Sequence, residues 1–300
     1  MSDRLLIIDK PSGPTSHDVV ARVRRATGVR RVGHAGTLDP RGTGVLVVMV
    51  GRTTRLSAYL MDHDKSYSGR MVLGVTTDTQ DAEGEVLERR DPSGVDRDRL
   101  DSVLDSFRGD IMQTPPMVSA LKRGGVPLYE LARQGIRVER EARPVTVRDL
   151  RIVSFDLPYV EFVIECSKGT YVRTLAADVG EQLGCGAHLD RLRRTRVGPF
   201  RVEEAVALAD IMEAGDAWLE LGVPPLGALP DLDVVTLSEE QAERVMDGGG
   251  VRLDDAQASG VSTDRALLTE DGAALMAVAR VTRNGGTVRV DPEKVFVPPI

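Results

Sequence analysis

Val45-Leu46-Val47-Val48-Met49-Val50 is an unbroken apolar run. A strand of that composition is buried on both faces, so it belongs inside a layered molecule rather than on a sheet with one wet side. The stretch before it is opposite in kind. Residues 33 to 44, Gly-His-Ala-Gly-Thr-Leu-Asp-Pro-Arg-Gly-Thr-Gly, carry four glycines and a proline. They suit a tight loop that another molecule can approach closely and that holds one side chain at a set angle. Between residues 20 and 55 there are eight arginines and a single acid, Asp39, in a chain whose net charge is -7. A carboxylate in so cationic a loop is expected to keep a low pKa and to be ionised at pH 7, available as a nucleophile or an electrostatic catalyst. Because its loop runs into a core strand, Asp39 has a rigid mount.

Around this centre the pattern alternates between strands and helices. Residues 4 to 9 read as a short buried strand ended by Lys10-Pro11-Ser12-Gly13-Pro14. Ser16 is placed as the N-cap of a helix with Val19, Val20, Val23 and Ala26 on one face and Gly28 as its stop. Residues 52 to 61 read as a helix, 65 to 73 as a strand, 78 to 85 as a hairpin loop, and Leu100, Val103, Leu104 and Phe107 mark another helix face. Residues 115 to 146 have little apolar pattern and read as a mobile flap. Two strands at 145 to 153 and 159 to 166 form a hairpin, a helix follows from Tyr171 to Gly184, and residues 189 to 202 return to short strands. Residues 222 to 232 read as a linker. Past it, Ser238-Glu239-Glu240-Gln241 is a capping box, and strands at 274 to 281 and 287 to 290 suit a small β-rich domain. The expected class is α+β, with a mixed, largely antiparallel sheet and flanking helices.

Charge is distributed unevenly. Residues 20 to 55 and 188 to 201 are basic, the latter with Arg191, Arg193, Arg194, Arg196 and Arg201 against Asp190, whereas residues 237 to 271 hold nine acids and three arginines. An anion-seeking part and an acidic remainder are implied, which fits a nucleic-acid partner despite the negative sum. Two cysteines, Cys166 and Cys185, without CxxC spacing suggest neither a disulfide framework nor a thiolate metal site, and a reducing cytoplasm fits best. The first residues resemble no signal peptide, and no apolar run approaches the ~18 residues of a membrane span.

No P-loop or GxSxG elbow occurs, and the four histidines lack HExxH or paired spacing, so no metal and no cofactor are expected. What remains is Asp39, arginines and a few tyrosines. In a chain with five tyrosines, Tyr67 and Tyr171 stand out as groups able to stack on a base and use a hydroxyl, although each is equally at home as a packed ring. Arg173 begins a helix, where the dipole gives it no reason to sit. An anionic partner such as Asp39 would supply one.

Taken together, Lys10-Pro11-Ser12-Gly13-Pro14-Thr15-Ser16, Gly33 to Pro40, Asp64-Lys65-Ser66-Tyr67, Ser119-Ala120-Leu121-Lys122, Leu128-Tyr129-Glu130 and Gly169 to Leu175 resemble, in order, the motifs of the bacterial tRNA pseudouridine-55 synthases. The match covers roughly residues 5 to 200. Two positions depart from the familiar pattern: Val118 stands where an aromatic is frequent and Ala35 where a threonine is common. The resemblance implies a pseudouridine synthase-like catalytic domain over residues 1 to 230, with an RNA-binding insert near 117 to 146, and a small PUA-like domain over 231 to 300. It implies isomerisation of the T-loop uridine at tRNA position 55, with no cofactor, by a monomer acting on the T-arm in the cytoplasm. Asp39 would be the catalytic carboxylate, adding to C6, attacking C1′ or abstracting the 2′ proton. Arg173 would pair with it, Tyr67 would stack on the base and handle the C5 proton, and Tyr171 would line the pocket. His34 would insert into the RNA loop as the base flips out. Lys10 would contact substrate, and Lys122 and Arg123 would contact phosphates.

Two rival classes remain. A non-catalytic RNA-binding or tRNA-folding protein would need the basic stretches but not Asp39, and a nucleoside or glycoside hydrolase would need a second carboxylate that is not evident near the loop. A guide-RNA-dependent relative is disfavoured by the flap.

Overall fold

A computed structural model describes residues 2 to 119, 121 to 136 and 138 to 300; of Lys122 and Arg133 it describes the backbone alone. The N-terminal third runs β1 (Arg4–Lys10), α1 (Ser16–Thr27), β2 (Val32–His34), β3 (Thr43–Val50), α2 (Ser57–Asp62) and β4 (Lys65–Leu73). A ribbon of β5 (Val75–Thr77) and β6 (Val86–Arg89) follows, then α3 (Arg97–Asp105) and β7 (Gly109–Gln113). Next come a small hairpin, β8 (Lys122–Arg123) and β9 (Val126–Pro127), and α4 (Leu128–Arg133). The chain then forms β10 (Arg143–Asp156), β11 (Tyr159–Cys166), α5 (Val172–Gln182), β12 (Ala187–Val197), β13 (Phe200–Arg201), β14 (Val206–Ala207) and α6 (Leu208–Glu213). It ends with β15 (Asp233–Thr236), α7 (Glu239–Met246), β16 (Val251–Arg252), α8 (Asp255–Ser259), β17 (Arg265–Thr269), β18 (Ala277–Asn284) and β19 (Thr287–Val295).

The central sheet has the order β14-β1-β3-β12-β4-β11-β10-β7, with β2 added to β3 and β13 to β12. Only β1/β14 and β3/β12 run parallel, so the sheet is mixed and largely antiparallel, as expected. β3 lies inside it, and its alternate residues serve two cores. Val45, Val47 and Met49 pack with Leu56, Leu60 and Phe296. Leu46, Val48 and Val50 pack with Val19, Val20 and Val23 of α1. Two-sided burial is the physical reason for the unbroken apolar run.

Several local readings shift. The N-cap of α1 is Thr15 rather than Ser16: its hydroxyl accepts from the Asp18 amide at 3.0 Å, and the Asp18 carboxylate accepts from the Thr15 amide at 2.9 Å. The Ser16 hydroxyl is used elsewhere, exchanging hydrogen bonds of 2.8 Å with the carbonyl and amide of Leu38. Gly28 ends the helix in the left-handed region at φ 69°. The helix expected over 52 to 61 begins as a 3-10 turn, Gly51–Leu56, because the Thr53 and Thr54 hydroxyls donate to the carbonyls of Val50 and Gly51 and tighten it. β12 is a long inner strand rather than a set of short ones, and it carries register shifts between Leu189 and Arg191 and between Arg194 and Arg196. Each shift inserts an extra residue and re-aims the side chains beyond it.

The stretch expected to be a linker is pinned down. Leu5 and Val223 exchange backbone hydrogen bonds of 2.9 and 2.8 Å, and Ala228 and Leu229 are buried. The C-terminal sheet, in the order β15-β17-β18-β19-β16, sends Leu267, Leu275, Val278 and Phe296 into the core that also holds Leu5, Ile7 and Leu60. No helix among the described residues is long and apolar enough to cross a membrane.

Candidate active site

A cavity of about 790 Å³ opens where the loop before β3, α2, the start of β4, the middle of β12, the starts of β10 and α5, and Gln113, Pro115, Ser119 and Leu121 meet. Asp39 lies on its wall with its side chain 43% exposed. The loop carrying it is tied at every turn. Gly13 donates its amide to the Pro40 carbonyl at 2.9 Å, and Gly42 donates to the Asp39 carbonyl at 3.0 Å. Gly36 and Gly44 sit at φ 101° and 99°, and at Gly44 a side chain would overlap the Arg194 carbonyl.

Lys10, expected to contact substrate, is turned inward. It is fully buried, and its ammonium donates to the carbonyls of Pro40 (2.8 Å), Gly42 (2.7 Å) and Pro11 (3.0 Å). It therefore holds the loop from beneath, and burial pushes its pKa down to about 8. Arg194, read from sequence as part of a basic, anion-seeking stretch, is likewise buried. Its Nε donates to Val45 O at 2.7 Å, and Nη1 and Nη2 donate to Thr37 O and Gly36 O, each at 3.2 Å.

Arg173 is 6% exposed. Its Nη2 lies 3.3 Å from Asp39 Oδ2 and donates to the Val118 carbonyl at 2.7 Å, while Nη1 lies 3.3 Å from Asp81 Oδ2. One guanidinium thus faces two carboxylates and the Val118 carbonyl. Asp81, on the β5/β6 turn, was invisible as a site residue because turn chemistry explains an Asp there equally well. Gln113 was missed too. It fixes the residue before α5, donating from Nε2 to Tyr171 O at 3.1 Å and accepting from the Tyr171 amide at 2.8 Å.

Tyr67 is 8% exposed, lines the cavity and sits opposite Arg194 in the β4/β12 register. Burial pushes its hydroxyl pKa up, and the Arg194 charge pulls against that. Tyr171 also lines the cavity with its pKa raised by burial. Lys65, not singled out from sequence, lines the same wall; its ammonium donates to Met61 O at 3.0 Å, and burial pushes its pKa down to about 8. Of the groups expected to meet RNA, His34 lies on β2, half-buried and outside the cavity lining. Arg123 is exposed and donates to the Glu139 carbonyl within the 117 to 146 segment. The Lys122 side chain and Ala120 lie outside the described residues.

His34 and His63 have their ring pKa pushed down, in both cases chiefly by burial. The fold holds them neutral, so below about pH 6.5 the unfolded chain binds more protons than the folded one. Their contribution is intact above that pH and is lost as pH falls through the folded values. Calorimetry from pH 7.5 to 5 should show a steeper fall in Tm for the wild type than for a His34→Gln/His63→Gln variant. Parallel curves would remove both rings as the cause.

The fold has close solved neighbours. It aligns over 98% of this chain and 84% of the other with a structure described as an H/ACA RNP bound to a substrate RNA containing 2′-deoxyuridine, at TM-score 0.72 and 25% identity. A Cbf5-Nop10-Gar1 complex aligns over the same shares at TM-score 0.73 and 27% identity. In sequence, residues 24–172 match the model of the TruB family pseudouridylate synthase N-terminal domain. Residues 173–222 match the tRNA pseudouridylate synthase B C-terminal domain. Among the relatives named tRNA pseudouridine synthase B, three span identities from 42% to 54%. That of Syntrophotalea carbinolica is 54% identical over 69% of this chain and 68% of its own. That of Geobacter sulfurreducens is 49% identical over 82% of each. That of Stutzerimonas stutzeri is 42% identical over 97% of this chain and 95% of its own. The chain belongs to the TruB family of pseudouridylate synthases.

Proposed function

We propose that this chain is a tRNA pseudouridine synthase that isomerises the T-loop uridine at position 55 of tRNA. The observation that carries the reading is the Asp39 carboxylate, half-open to a cavity with room for an extruded nucleotide and within ion-pair distance of the buried Arg173, in a member of this family. The reaction breaks the N1–C1′ bond, turns the uracil, forms C5–C1′, and moves one proton from C5 while N1 regains one. Atoms and electrons balance without an outside reagent. Asp39 supplies the carboxylate, whether to C6, to C1′ or to the 2′ proton, and Arg173 orients it.

Uridine inside a folded loop must leave its stack, at a cost of a few kcal/mol. Tyr67 and Tyr171 provide ring faces for the extruded base, and His34 fills the space left behind. The 117 to 146 segment closes over the RNA with Lys122 and Arg123 on phosphates, its position supported by the Arg173 bond to Val118 O. Residues 231 to 300 are read as a PUA-like unit and the enzyme as a monomer.

Tritium release from a tRNA transcript carrying [5-3H]uridine tests the reading. Release with no free uracil is expected; free uracil would indicate a hydrolase, and no release an RNA-binding protein. In the same assay Tyr67→Phe should keep transcript affinity and lose most turnover, by roughly 10²-fold or more if the hydroxyl handles the C5 proton. Unchanged turnover would remove that hydroxyl from the mechanism.

A further inference from the structure

We propose that Arg194 is a positioning residue: it holds the two limbs of the Asp39 loop together and sets them against Tyr67. The inference rests on the activity proposed above and assigns a function to a cation that activity leaves unused. Arg194 is 1% exposed, and among the described residues no carboxylate lies within ion-pair distance of it. Its charge faces the Tyr67 hydroxyl and is met chiefly by backbone carbonyls. Those of Gly36 and Thr37 precede Asp39 in the chain and that of Val45 follows it, so one planar guanidinium spans the loop at its base.

A buried charge is costly to desolvate, and an apolar side chain of similar volume is often neutral or more stable. The cation is therefore not accounted for by stability alone. What a guanidinium adds is geometry. Its donors lie in one rigid fork, which an ammonium on a flexible stem cannot copy. The register of the sheet completes the arrangement. Arg194 is paired on one side with Gly44 of β3, where the missing side chain allows the close approach, and on the other with Tyr67 of β4. Asp39 reaches the cavity from the loop that leads into β3 and Tyr67 from β4, and Arg194, on the strand between β3 and β4, binds that loop and faces Tyr67.

The loop has a second support, because Lys10 holds Pro40 O and Gly42 O just beyond Asp39. Loss of Arg194 should therefore loosen the loop without unfolding the molecule. Misplacing a reacting group by about 1 Å costs on the order of 10²-fold in rate, and that is the effect expected here.

The test uses the full chain with Arg194→Met and Arg194→Lys, read by single-turnover tritium release, transcript affinity and hydrogen exchange of peptides covering residues 36 to 45. Arg194→Met should bind transcript within about threefold of wild type and turn over roughly 100-fold slower, a loss in rate and not in binding. Arg194→Lys, which can serve some of the carbonyls, should fall between the two. In both variants the 36 to 45 peptides should exchange about tenfold faster while those of the C-terminal sheet keep their rate. Combined with Tyr67→Phe, the losses should be less than additive if the two residues act as a unit. Wild-type turnover in Arg194→Met, a rise in exchange spread over the whole chain, or failure of Arg194→Lys to fold would overturn the inference. If the wild type releases no tritium but the local exchange change appears, the proposed activity is wrong and the loop clamp stands.

Discussion

Asp39→Asn should bind a tRNA transcript as the wild type does and release tritium at less than about 10⁻³ of its rate, a loss of at least ~4 kcal/mol of transition-state stabilisation. The substitution keeps the shape of the side chain and its place in a loop tied by Gly13, Ser16, Lys10 and Arg194, so the backbone has no reason to move. What it removes is the negative charge and the nucleophilic or basic oxygen. Single-turnover release and filter binding on the same preparation separate the two effects. A rate within tenfold of wild type, with binding intact, would place the chemistry on another group, with Asp81 the first candidate because it shares the Arg173 guanidinium.

Arg173→Lys is the second large effect. The guanidinium reaches Asp39, Asp81 and the Val118 carbonyl at once through its two terminal nitrogens, and an ammonium has a single nitrogen to place. Lysine keeps the charge but not the rigid fork that orients Asp39, and misplacing a reacting group by about 1 Å costs on the order of 10²-fold in rate. Asp39 is too exposed for its pairing with Arg173 to add much to folding stability, so that loss should appear in turnover. Asp81 is 17% exposed and would be left beside a misplaced cation, so a moderate fall in Tm should accompany it. Transcript affinity should stay within about threefold if Arg173 serves the reaction rather than the RNA backbone. Loss of affinity in step with rate would assign it to RNA binding.

The two effects also differ in how far each group could be read in advance. Asp39 was legible because it contradicts its surroundings: it is the one acid among arginines, in a glycine-rich loop beside a wholly apolar strand. Arg173 was legible as a cation without a local reason, and Asp39 was named as its candidate partner. Asp81 was not, since an Asp in a tight turn has a sufficient local explanation. Gln113 was not, because nothing in an edge strand distinguishes a glutamine that braces Tyr171 from one in solvent. The capping shift from Ser16 to Thr15 has the same origin. Both hydroxyls can cap a helix, and only the position of Leu38, 22 residues on, decides which is free to do so.

Lys10 and Arg194 mark the boundary most sharply. In sequence they are basic residues, and the bland expectation for a basic residue in an RNA-modifying chain is contact with phosphate. In the folded molecule both are buried against backbone carbonyls of the Asp39 loop. The sequence by itself determined the elements whose causes are local: the two-faced strand, the left-handed stop at Gly28, the capping box at Ser238, and a lone carboxylate on a tight loop. Tertiary structure alone decided which cations turn inward and which carboxylate shares Arg173. These depend on sheet register, bulges and contacts between residues as far apart as Asp39 and Arg173, 134 positions along the chain. Hydrophobic period and turn propensity act over a few residues, whereas a carbonyl that needs a donor is satisfied by whichever side chain the packed sheet brings within about 3 Å.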